Sequence, residues 1–65
     1  MDAHDYPRLV LSERQAADAI GLGHTQLRRL RMDGKGPRAI HLSERRIGYR
    51  LCHLEEWVAA RPAAI

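Results

Sequence analysis

The chain has no phenylalanine, one tryptophan, two tyrosines and a single cysteine among its 65 residues. Each scarcity removes a class of function. A surface that stacks the bases of RNA or single-stranded DNA needs exposed aromatics. Beyond Tyr6 the chain offers only Tyr49 and Trp57, and both fit better as core anchors. Cys52 alone excludes an intrachain disulfide and suits a reducing cytosol. It forms no CxxC or HxxxH grouping with His24, His41 or His53, so neither a metal nor a cofactor is expected. Cys52 itself is expected to be partly buried at the start of a helix, and His53 to be solvated. No apolar run approaches the ~20 residues that span a bilayer, and Met1 to Pro7 has no apolar signal-peptide region. No Ser-His-Asp order, phosphate loop or acid pair in a plausible cleft appears, so an enzyme is not expected.

What is present is a small domain with an uneven charge. Below about 70–80 residues a single core supplies only a few kcal/mol, which favours presenting a surface over enclosing a pocket. At 45% hydrophobic residues the chain is nevertheless too apolar to be disordered. Its net charge is only +3, but the positive charge is concentrated. From Arg8 to Arg50 there are ten Lys/Arg against four Asp/Glu, a pattern that attracts polyanions.

Along the chain, residues 1–7 read as a short polar leader, 8–61 as one domain and 62–65 as a tail. Leu9-Val10-Leu11 is apolar. Ser12-Glu13-Arg14-Gln15 is a capping box that starts a helix burying Ala16, Ala17 and Ile20, and Gly21 stops it. The second helix is expected from about His24 to Asp33, with Gly23 as N-cap and Gly34 closing it. Its buried side is Leu27 and Leu30. Two short helices joined by Gly21-Leu22-Gly23 make a helix-turn-helix, with Leu22 tucked inward. Ala39–Leu42 and Ile47–Arg50 alternate with period two around a four-residue tip, 43–46, which predicts a β-hairpin with Ile40, Leu42, Ile47 and Tyr49 on one face. A last helix carries Leu51, Leu54, Trp57 and Val58 on its apolar stripe and ends at Pro62. The expected fold is mainly α with a small two-stranded hairpin, a winged helix-turn-helix.

Burying Leu27 and Leu30 exposes Thr25, Arg28, Arg29 and Met32 at 100° per residue. Arg28, Arg29, Arg31, Lys35 and Arg38 have only Asp33 among them as a partner, whereas a merely solvated helix usually mixes signs. Arginine donates paired hydrogen bonds to guanine edges and phosphates. His24, Thr25 and Gln26 add donors and acceptors on the first helical turn, the part that enters the major groove in helix-turn-helix proteins. Lys35 and Arg38 on the following loop, with Arg45 and Arg46 at the hairpin tip, are placed to hold neighbouring phosphates. Arg50 either braces the last helix or touches a phosphate. The core anchors expected are Leu27, Leu30, Tyr49, Leu54 and Trp57. The competing readings are a protein adaptor and a membrane-surface helix. The second fails because helix 24–33 offers only Leu27, Leu30 and Met32 as apolar groups.

The residues Leu11-Ser12-Glu13, Ala16-Ala17, Gly21-Leu22, Leu27-Arg28-Arg29-Leu30, Gly34, Pro37, Gly48-Tyr49-Arg50 and Leu54-Glu55-Glu56-Trp57-Val58 resemble the AlpA-type phage regulators, which belong with the excisionases among MerR-like winged helix-turn-helix domains. The resemblance runs from about Arg8 to Arg61. It implies a bacterial, cytoplasmic, nucleoid-associated protein of a mobile element that binds double-stranded DNA. Two roles follow from it. One is an excisionase, or recombination directionality factor, beside an integrase; the other is an activator of excision genes. The resemblance places His24, Thr25, Arg28 and Arg29 on the recognition helix and Arg45-Arg46 on the wing. The family often has serine where this chain has Gly23. With no spare dimerisation helix, the chain is expected to be monomeric in solution and to associate side by side on DNA.

Overall fold

The computed structural model describes residues 8–64; the expected leader, residues 1–7, lies outside them. The elements run β1 (Val10–Leu11), α1 (Glu13–Ile20), α2 (His24–Met32), β2 (Ala39–Ser43), β3 (Arg46–Arg50) and α3 (Leu51–Ala59). This is a winged helix-turn-helix with one addition to the expected hairpin. The sheet has three antiparallel strands in the order β1-β3-β2. β1 pairs Val10 with Arg50 and Leu11 with Tyr49. Two residues are too few to show the alternation by which a strand is read from sequence.

Local signals set the helix ends. Ser12 Oγ accepts from the Gln15 N–H at 3.1 Å and Gln15 Oε1 accepts from the Ser12 N–H at 3.0 Å, so the capping box is complete. At the other end of α1, Gly21 has φ 82°. The Leu22 N–H reaches the Ala17 carbonyl at 2.9 Å and the Gly21 N–H reaches Asp18 at 3.2 Å, the Schellman pattern. Gly34, φ 72°, closes α2 in the same way, with Lys35 N–H bonded to the Leu30 carbonyl and Gly34 N–H to that of Arg31. Any side chain at these two glycines would meet the left-handed penalty.

The hairpin differs from expectation in register. Its turn is two residues, Glu44-Arg45, with Ser43 opposite Arg46. No described residue other than glycine has positive φ, so the turn is not the tight type I′ form, and a register irregularity between His41 and Ser43 accompanies it. Ala39 therefore faces Tyr49 and Ile40 faces Gly48. Because sheet faces alternate, Ile40 and Leu42 lie on the face opposite Ile47 and Tyr49, not on the same one. The inner face, with Leu11, Ala39 and Tyr49, packs against the helices. On the outer face Val10 and Leu42 close over Gly48, where a Cβ would sit 2.6 Å from Val10 Cγ1.

The fully buried core is Ala16, Ala17, Leu27, Tyr49 and Leu54, with Leu11, Ile20 and Ala39 packed around it. The two alanines let α1 approach its neighbours closely. Of the five anchors expected, Leu27, Tyr49 and Leu54 are core; Leu30 and Trp57 are only half-buried at its edge. The last helix also turns differently from its expected stripe. His53, Leu54 and Trp57 face inward, while Leu51 and Val58 are 36% and 47% exposed. Cys52 is exposed and His53 half-buried, the reverse of their expected positions.

Candidate nucleic-acid interface

α2 is held by one face only. Leu27 is fully buried, Leu30 and Arg31 are half-buried, and His24, Thr25, Gln26, Arg28, Arg29 and Met32 are exposed. Thr25, Arg28 and Arg29 thus share the outward face that the leucine spacing assigns to them. At the N-terminus Gly23 has no side chain to cap the helix. Gln26 supplies half of a capping box instead, its Oε1 accepting from the Gly23 N–H at 3.0 Å. That commits the oxygen of Gln26 to the fold and leaves its amide N–H groups for a ligand.

Arg31 does not belong with the other cations. Its guanidinium meets the Glu13 carboxylate across 2.7 and 3.4 Å, and the Tyr49 hydroxyl donates to the same carboxylate at 2.8 Å. His24 Nε2 lies 3.9 Å from Glu13 Oε1. One carboxylate from α1 therefore ties α2 to the central strand. Burial alone would raise the Glu13 carboxyl, but the hydrogen bonds from Arg31 and Tyr49, with the charges of Arg31 and His24, outweigh it. They hold the group below its ordinary 4.5. Burial raises the Tyr49 hydroxyl, as do its hydrogen bond to Glu13 and the carboxylate's charge.

A carboxyl depressed by folding contributes stability that is present above its unfolded value and lost as pH falls through its folded value. The Glu13 contribution is thus complete above about pH 4.5 and disappears in more acidic solution. Thermal melts of the wild type and Glu13→Gln should differ at pH 7 and converge toward pH 3. A gap independent of pH would mean that the charge of Glu13 contributes nothing.

Among the described residues Arg28, Arg29, Lys35, Arg38, Arg45, Arg46 and Arg50 have no carboxylate partner, and all are exposed. They fall into three groups. Arg28 and Arg29 stand on α2. Arg45 is in the hairpin turn, while Arg46 and Arg50 share the outer sheet face with Gly48 between them. Lys35 and Arg38 belong to the loop from α2 to β2, which α3 holds in place: Trp57 Nε1 donates to the Lys35 carbonyl at 3.2 Å, and Arg61 stacks 4.3 Å from the Trp57 ring centre. Beside that loop opens a groove of about 710 Å³ lined by Arg38, His41, His53 and Trp57 among others. His53 Nδ1 is buried there without a hydrogen-bond partner. Arg50 begins α3 without capping it through its side chain.

No group of three or more His, Cys, Asp or Glu among the described residues is arranged to hold a metal ion, and no described helix is long and apolar enough to cross a membrane. The basic helix, its wing and the loop between them sit on a framework found in a known group of regulators. The family model of the prophage CP4-57 regulatory protein (AlpA) matches residues 8–62. The chain belongs to the AlpA family. No curated protein matches it. The AlpA match extends through α1, α2, the hairpin and α3 as a unit, and with the exposed basic helix it points to a DNA-binding regulator of the phage type.

Proposed function

We propose that this AlpA-family chain binds duplex DNA with the first turns of α2 in the major groove and the wing and the 35–38 loop on phosphates, and that it acts as an excision factor. The observation that carries this reading is the outward face of α2, where Arg28 and Arg29 stand beside Thr25 with no described carboxylate to neutralise them. Paired donors of this kind match guanine edges and phosphate oxygens, and in helix-turn-helix proteins the start of the second helix reads the groove. The chain acts as a binding module rather than an enzyme, and DNA is its ligand.

One domain of this size reads one short stretch of groove, and specific operators usually require two or more such stretches. The chain therefore occupies tandem sites as copies side by side, bends the DNA and positions an integrase. A mobility-shift titration on duplexes carrying one site and then several, with sedimentation of the free protein, tests this. Stepwise cooperative shifts with a bend, from a monomer, are expected. One tight unbent complex upstream of a promoter would favour the transcriptional activator instead, and weak binding without steep salt dependence would favour a protein adaptor.

A further inference from the structure

Two exposed apolar surfaces remain outside the core. The first is a shallow groove of about 320 Å³ between α1 and α3, lined by Ala19, Ile20, Leu51, Val58 and their neighbours. Its one ionisable lining residue is Glu55, and no strand residue or arginine contributes to it. The second is the outer face of the sheet, where Leu42 is 52% exposed beside Val10 over Gly48, with Arg46 and Arg50 on the same face and Arg45 at the adjoining turn. Helices α1 and α3 pack on the inner face of β3, through Ala16, Ala17 and Leu54 against Tyr49. The helical groove and the outer sheet face are thus on opposite sides of a two-layer molecule.

We propose that the α1–α3 groove of one copy receives the Leu42 side of the wing of a second copy. The chemistry of the two surfaces is complementary and not self-complementary. One is apolar with an acidic residue, the other apolar with arginines. Such a contact is heterologous, so it propagates in a line rather than closing a dimer. This suits neighbours on tandem sites, and the inference rests on that reading of the function. The groove is small, so the contact forms only when DNA holds two copies next to each other at high effective concentration.

The test compares the dissociation constant on a duplex carrying one footprinted site with the constants on a duplex carrying two adjacent sites. Wild type should gain on the order of 10- to 100-fold at the second site. Val58→Gln and Leu42→Gln, both at exposed positions, should keep the single-site constant and lose that gain. Glu55→Arg should lose it too, and adding Arg45→Glu to the same chain should restore it. Each variant is read against its own single-site constant, because Arg45→Glu weakens DNA binding by itself. Undiminished cooperativity in folded Val58→Gln, or in Glu55→Arg if the former fails to fold, overturns the proposed contact while leaving the tandem reading in place. A wild-type protein that binds two sites independently overturns both.

Discussion

Leu27→Ala is expected to leave most of the chain unfolded at 25 °C. Leu27 is fully buried at the meeting point of α1, α2 and the sheet, in a core whose other members are Ala16, Ala17, Tyr49 and Leu54. Truncating a core leucine costs about 2–5 kcal/mol, the larger values where the cavity cannot collapse. Two of the neighbours are already alanines and the third and fourth are tied to other elements, so little can move in to fill the space. A domain of this length has only a few kcal/mol in total. The loss is therefore comparable to the whole stability. Circular dichroism and a urea titration read it directly. Leu27→Met, which keeps the volume, should cost under about 1.5 kcal/mol and stay folded. A Leu27→Ala chain with a nearly normal melting temperature would mean that α2 is held elsewhere, and Glu13 with Arg31 and Tyr49 would be the first place to look.

That polar cluster shows where reading the sequence stops. Helix ends were legible because their causes are local: Ser12 and Gln15 are three residues apart, and Gly21 and Gly34 each close the turn beside them. The pairing of Glu13 with Arg31 and Tyr49 joins residues 18 and 36 positions apart, and nothing in the neighbourhood of any of them announces it. Arg31 looked like one more cation on a basic helix. At 100° per residue Arg31 lies beside the Leu27–Leu30 stripe, and that placement is the one hint in the sequence that it needs a partner.

The hairpin failed for a different reason. The alternation in 39–42 and 47–50 marked both strands correctly, but which residues share a face depends on the number of residues in the turn. A four-residue tip would put Leu42 opposite Ile47. The observed turn of Glu44-Arg45, with the irregularity beside His41, puts His41 there instead and sends Leu42 outward. A change of one residue in register moves a strand's side chains to the other face. The rotation of α3 is similar: it starts directly after β3, and with Trp57 bonded to the Lys35 carbonyl, His53 turns inward while Leu51 and Val58 turn out. The exposed face of α2 was legible throughout, because two leucines three residues apart define a helix face on their own.

Removing Arg28 and Arg29 together should produce the largest loss of specific DNA binding that leaves the fold intact. Both side chains are exposed, and neither makes an ion pair or hydrogen bond with another described residue, so the double alanine variant should keep the wild-type circular dichroism and melting temperature. An arginine bidentate to guanine is worth about 1–3 kcal/mol of discrimination, and loss of one costs affinity for the specific site by a similar amount. Adjacent residues need not add, but the pair should weaken the specific site by roughly 30-fold to 10⁴-fold at tenfold per 1.4 kcal/mol. The specific and random-sequence affinities should draw together. Arg45→Ala with Arg46→Ala provides the contrast. If the wing holds phosphates, that variant weakens all sequences about equally and flattens the salt dependence by roughly one to two units. Competition titrations against specific and random duplexes at several salt concentrations separate the two outcomes. Should the Arg28 and Arg29 variant lose affinity equally on every duplex, α2 grips the backbone and base reading lies elsewhere. Should it lose none, the basic face of α2 is not the DNA-binding surface.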